Sequence, residues 1–158
     1  MPLSLVRIDD RLIHGQVVLG WSRLLKPDRI VVANDRIAAN LWERKFYTAS
    51  VPPQVKVSFL SLEETTVELL NNLFTNEAVL MLFETVKDVH AMVQKGVQLE
   101  EINVGGLHYR QGAEELLPFV FLTEEDKTLL RDLVKSGITL LAQDIPGNSP
   151  VVINSMVV

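Results

Sequence analysis

Short runs of aliphatic and β-branched residues alternate along the chain with longer stretches in which apolar positions recur every three or four residues. That is the pattern of parallel strands joined by helices. Residues 3–8, 29–33, 55–60 and 78–83 read as the first four strands. The second and fourth are almost continuously apolar, as strands covered on both faces are. Residues 102–104 read as a fifth strand and 139–142 as a seventh. Between them, 116–122 reads as a sixth, which Pro118 places at an edge or bend. Residues 107–115 leave no room for a crossover helix, so the fifth and sixth strands are expected to pair antiparallel. The pattern predicts one α/β domain over residues 1–158, a doubly wound, mostly parallel open sheet of about seven strands with one antiparallel strand and helices on both faces.

Helix boundaries have local causes. Ser61-Leu62-Glu63-Glu64 and Thr123-Glu124-Glu125-Asp126 are capping boxes or close variants, in which a hydroxyl and a carboxylate satisfy otherwise unpaired amides. Thr85-Val86-Lys87-Asp88 fits more loosely. Gly96 and Gly137 read as helix stops needing a left-handed backbone. Trp21, Met81 and Phe83 fall on the apolar periodicity and are expected in the core, whereas Trp42 and Tyr47 are candidates for a docking face. Pro146 to Pro150 break the chain, and the apolar tail after them predicts a docked strand.

Composition narrows the chemistry. The chain has 158 residues and no cysteine, which excludes thiol catalysis and Cys-ligated zinc. Its 15 Lys and Arg against 20 Asp and Glu give a net charge of −5, which argues against broad binding to nucleic acid or anionic membranes. No apolar run approaches the ~20 residues of a membrane span, and no signal-peptide pattern opens the chain, so a cytoplasmic protein is expected. No phosphate-loop, dinucleotide or zinc-helix motif is present, and His14, His90 and His108 are far apart in sequence, so no metal or nucleotide is expected.

Ligands of such sheets bind beyond the carboxyl ends of the strands, so the strand-to-helix turns matter most. The first is the densest in polar chemistry: Arg7-Ile8-Asp9-Asp10-Arg11-Leu12-Ile13-His14-Gly15-Gln16-Val17. A helix is expected to begin near His14 or Gly15, with free amides facing the turn and favouring an anion. His14 is a candidate acceptor for a phosphoryl group, because a neutral imidazole offers a ring nitrogen to phosphorus. Arg11 and the amides near Gly15 and Gln16 suit the charge on three phosphoryl oxygens. Asp9 or Asp10 would hold Arg11 or orient the imidazole. Plainer roles stand beside these: the charged residues as surface ion pairs, and His14 as a capping or packing residue.

That run, with Trp21 after it, closely resembles the active-site segment of the mannose/fructose/sorbose-type IIB components of the bacterial sugar phosphotransferase system. Further landmarks follow in order: Ile30-Val31-Val32-Ala33-Asn34-Asp35, Pro52-Pro53-Gln54-Val55-Lys56-Val57, Met81-Leu82-Phe83, Asn103-Val104-Gly105-Gly106-Leu107-His108 and Leu122-Thr123-Glu124-Glu125-Asp126. The resemblance implies a protein that accepts a phosphoryl group from phospho-IIA on His14 and donates it to a sugar entering through membrane components IIC and IID. The alternative is a regulatory phosphohistidine protein that signals nutrient state without sugar transport. Carried over by position, Arg11 stabilises the phosphate, and Asp9, Asp10, Gly15 and Gln16 form its cradle. No cofactor is implied beyond the covalent phosphohistidine, and the protein would be cytoplasmic, meeting the inner membrane transiently through IIC and IID.

Other positions stay open on the residues alone. Asn34, Asp35 and Arg36 would line the cleft rim or simply cap the next helix, and Arg36 stands where the family often has an acidic residue. Gly105 and Gly106 would allow close backbone approach or form a tight turn with positive φ. His108 is a rim residue at most, and His90 a surface one. From Ala142 onward the chain is expected to depart from the family, which would end in a helix.

Overall fold

The protein is described by a computed structural model covering residues 3–158 apart from Gln16 and Thr75. Among the described residues, nine strands and six α-helices follow one another: β1 (Leu3–Ile8), a π-helical stretch (Val17–Trp21) running into α1 (Ser22–Leu25), β2 (Arg29–Ala33), α2 (Asp35–Ala38), α3 (Leu41–Thr48), β3 (Lys56–Leu60), α4 (Leu62–Leu70), β4 (Val79–Phe83), α5 (Val86–Gln94), β5 (Glu101–Val104), β6 (Glu114–Leu117), β7 (Val120–Leu122), α6 (Glu124–Lys135), β8 (Thr139–Ala142) and β9 (Val151–Val152). Seven strands form one sheet in the order β3-β2-β4-β1-β5-β8-β9, parallel throughout except for β9 against β8. This is the expected doubly wound sheet.

Strand alternation divides the core into two layers. Val31, Ala33, Val79, Met81 and Phe83 face one side, where they meet apolar residues of α5 and α6 and, partly buried, of α4. Ile30, Val32, Leu80 and Leu82 face the other, against Leu12, Ile13, Val17, Trp21 and Ile37. β4 is buried throughout and β2 from Ile30 to Ala33, which explains their continuous apolar sequence. Ser61 and Thr123 form reciprocal capping boxes with Glu64 and Asp126, while Thr85 accepts from the Asp88 amide. Gly96 and Gly137 take φ of +104° and +89° directly after α5 and α6, as helix stops should.

Two expectations need correction. Residues 116–122 are not one strand paired with β5. Proline cannot donate to a ladder, and the chain turns at Pro118, so the segment splits into a separate β6–β7 antiparallel hairpin that begins at Glu114. The hairpin touches the end of β5 through Leu107, whose amide donates to Phe119 O and whose carbonyl accepts from Phe121 N. With that strand gone, β5 pairs in parallel with β8. The single reversed strand is instead β9, from the apolar tail.

The carboxyl end of β1 lies between β4 and β5. The connection leaving β1 runs to β2 on one side, and that leaving β5 runs to β8 on the other. This divergence opens the crevice in which ligands of such sheets bind.

Candidate phosphoryl-transfer site

Arg7 is the one charged residue of β1, and strand alternation decides where it goes. Val6 and Ile8 point into the α5–α6 layer, so Arg7 points to the opposite face, level with Asn103 of β5, its register partner. It is fully buried. A guanidinium taken out of water costs several kcal/mol unless its donors are used. Nη1 donates to Asn103 Oδ1 and to the Gln143 carbonyl at 2.7 Å, and Nη2 to the Asp144 carbonyl at 2.9 Å and Asp9 Oδ2 at 3.2 Å. The Trp21 ring lies 5.1 Å from its Cζ, completing the enclosure by a cation–π contact.

Asp9, just past β1 and equally buried, is where the turn converges. Besides Arg7 it accepts the Arg11 amide at 3.1 Å, Arg11 Nε at 3.1 Å, Arg11 Nη2 at 3.2 Å and His14 Nε2 at 3.1 Å. Burial alone would push its pKa up. The hydrogen bonds from His14 and Arg11, with the charge of Arg7, outweigh that and hold it well below the ordinary carboxylate range. Burial conversely lowers the pKa of Arg7, with Asp9 opposing the shift.

The backbone is bent to make this possible. Leu12 is buried at φ +57°, a conformation that costs a non-glycine residue about 1–2 kcal/mol, and its amide closes the turn onto the Asp9 carbonyl at 3.0 Å. A π-helical stretch follows, a form frequent at functional sites. Just past the end of β5, a Cβ on Gly105 would collide with the Arg7 guanidinium, and one on Gly106 would lie 3.0 Å from both Asp9 Oδ1 and Arg11 Nη2. Neither has positive φ, so both are needed for close approach rather than for a turn.

The chemistry follows from the hydrogen bonds. An ionised carboxylate only accepts, so His14 Nε2 carries the proton and Nδ1 holds the lone pair in the neutral ring. The result is an oriented, partly exposed imidazole beside Arg11, with its second nitrogen available as a nucleophile.

Sequence reasoning therefore placed Asp9, Arg11 and His14 together, and the structure joins them. Asp10 goes elsewhere: its carboxylate accepts the His108 amide at 2.8 Å and His108 Nδ1 at 2.6 Å. Gly15 faces open space, and Gln16 lies outside the described residues. Asn34 caps α2 through the Ile37 amide, Asp35 accepts the Leu62 amide, and Arg36 pairs with Glu43 and Glu84. None of these four interactions reaches His14. Sequence reasoning passed over Arg7, Asn103, Gln143 and Asp144. An arginine at an inward position of a central strand was the available signal for the first.

Among the described residues, no group of three or more His, Asp or Glu side chains is placed to hold a metal ion, and no helix is long and apolar enough to cross a membrane. A cleft of about 920 Å³ opens at the amino ends of β1, β5 and β8, lined by residues such as Val6, Glu101 and Ile138, and is remote from this chemistry.

Comparison with known proteins adds an independent line. Residues 3–158 match the family described as the sorbose subfamily IIB component of the PTS system. The sorbose-specific EIIB component of Klebsiella pneumoniae is 38% identical over 140 residues, covering 89% of this chain and 85% of that one. The mannose-specific EIIAB component of Escherichia coli K12 is 34% identical over 140 residues, which make up 89% of this chain but 43% of that longer protein. The crystal structure of the IIBSor domain of the Klebsiella pneumoniae sorbose permease superposes with a TM-score of 0.90 at 35% identity, covering 98% of this chain and 95% of that one. The family match runs through Val158, so the segment from Ala142 onward lies within the family rather than departing from it.

Proposed function

Because the chain belongs to the sorbose-subfamily IIB components of the phosphotransferase system, we propose that it relays a phosphoryl group through His14, from phospho-IIA to a sugar taken up through IIC and IID. The observation that carries this is the 3.1 Å contact between His14 Nε2 and the Asp9 carboxylate, which can only accept and so leaves Nδ1 as the attacking atom. In the first step the Nδ1 lone pair attacks the phosphorus of the donor phosphohistidine. The donor P–N bond breaks, and its electron pair returns to the donor ring. No proton need leave the attacking nitrogen. The imidazolium character that develops on His14 faces the Asp9 carboxylate, while Arg11 meets the charge on the phosphoryl oxygens. Arg7 acts at one remove, fixing Asp9 and tying the turn to residues 143 and 144.

The donor is an activated phosphoramidate, so the step as written uses side chains alone. Meeting first a soluble donor and then a membrane acceptor calls for transient complexes at both stages. Intact-mass detection of acid-labile phosphate after mixing with phosphorylated IIA tests the reading. Wild-type protein is expected to gain one phosphoryl group, and folded His14→Ala protein none. Uptake by folded His14→Ala protein would overturn the assignment.

A further inference from the structure

The first transfer as proposed has no step for the Asp10–His108 pair, yet the pair is built like an acid–base dyad. Asp10 and His108 are 98 residues apart in sequence and meet through two hydrogen bonds, backbone amide to Oδ2 at 2.8 Å and Nδ1 to Oδ1 at 2.6 Å. The carboxylate can only accept, so Nδ1 carries the proton and Nε2 of the neutral ring holds the lone pair. The His108 side chain is 61% exposed, whereas the His14 side chain is 17% exposed. The two imidazoles are thus anchored on consecutive carboxylates of one turn. The Gly106 backbone, two residues before His108, lies against Asp9 and Arg11 and accepts the Asp10 amide at 2.8 Å. Tyr109, the next residue, is also exposed, its ring edge-on to Phe121 of the hairpin.

The two halves of the relay differ in one proton. A ring nitrogen attacks phosphorus through a free lone pair, but a sugar hydroxyl must lose its proton as the O–P bond forms. Asp9 is unsuited to take it, since its lone pairs are committed and its basicity is depressed. We infer that His108, oriented by Asp10, is the general base for the second transfer, acting on the hydroxyl of the acceptor sugar. In that step the hydroxyl oxygen attacks the phosphorus of phospho-His14, and the P–N bond breaks with its electron pair returning to the His14 ring. The hydroxyl proton passes to Nε2 of His108, giving an imidazolium opposite the Asp10 carboxylate, and then leaves to water.

This inference rests on the relay reading above, and the test separates the two. His108→Asn keeps an amide that can donate to Asp10 but offers no base. Wild-type and variant proteins are phosphorylated by phospho-IIA, then mixed with membrane vesicles carrying IIC and IID and, in turn, L-sorbose, mannose, fructose and N-acetylgalactosamine. Both half-reactions are followed by rapid quench. His108→Asn is expected to take up phosphate at the wild-type rate and pass it to sugar about 100-fold more slowly. Equal slowing of both steps would make His108 a prop for the turn, and slowing of neither would remove it from the chemistry; either result overturns the inference. A wild-type protein that gains no phosphate on His14 refutes the relay itself. One that gains phosphate and phosphorylates none of the sugars refutes the sugar step and the role of the dyad together.

Discussion

Two strand-to-helix turns at the same end of the sheet draw on similar residues. One, residues 9–15 after β1, contains Asp9, Asp10 and Arg11; the other, after β2, contains Asn34, Asp35 and Arg36. In the second, polar groups serve the chain around them. Asn34 and Asp35 satisfy helix amides at 3.0 and 2.8 Å, and Arg36, with 56% of its side chain exposed, pairs with surface glutamates. In the first, the groups serve one another. Two arginines and a histidine converge on Asp9, which has no exposure at all. Composition does not separate the turns; burial and convergence do. A fold gains little by burying an arginine and an aspartate where apolar groups would pack as well, so a buried pair on which Arg11 and His14 converge points to chemistry.

Removing the convergence should have the largest effect. Asp9→Asn leaves Arg7 buried without its counterion, and loss of one partner of a buried pair typically costs about 3–5 kcal/mol. Asn103 and two carbonyls still engage Arg7, so the lower end, about 3 kcal/mol, is expected in urea unfolding at pH 7. Phosphate uptake should be lost with it, because Arg11 and His14 lose their shared anchor. The pH dependence has a definite sign. The folded pKa of Asp9 lies below its ordinary 3.8, so its contribution is complete above that pH and disappears as pH falls through the folded value. The stability gap between wild type and variant should therefore narrow below about pH 4. A gap that widened there would refute the ionic account of the cluster.

The second turn should respond differently. Asn34→Ala removes a cap and is expected to cost about 1 kcal/mol. Phosphate uptake on His14 should be unchanged at temperatures where the variant stays folded. If uptake fell several-fold without a matching loss of stability, Asn34 would belong to the site after all, and the contrast between the turns would collapse.

These outcomes bear on what the sequence could reveal. Strands such as Arg29–Ala33 and helix starts such as Ser61 and Thr123 were legible because their causes are local: apolar runs, and a hydroxyl three residues before a carboxylate. The His14 turn was legible because its residues are close in sequence. What escaped depends on distant partners. Nothing near Arg7 announces Asn103, Gln143 or Asp144, and nothing near Asp10 announces His108. The apolar tail announces a docked strand, but β9 is two residues long and nothing in it announces that it runs antiparallel to β8. Pro118 marks an irregularity, but whether a proline bends a strand or divides it depends on whether the halves can pair with each other, as Glu114–Leu117 and Val120–Leu122 do.

The smallest effect is expected from Arg36. Its pairs with Glu43 and Glu84 are surface contacts at 2.5 and 2.8 Å, of a kind generally worth less than about 1 kcal/mol. Arg36→Gln should therefore leave unfolding by urea within that margin. The informative measurement is the rate of phosphate transfer from IIA at low and at physiological salt. If the second turn is purely structural, neither rate changes. If Arg36 steers an acidic donor toward the cleft, the variant should slow transfer chiefly at low salt, where exposed charges act over tens of ångströms. That result would assign recognition to the turn after β2 and chemistry to the turn after β1.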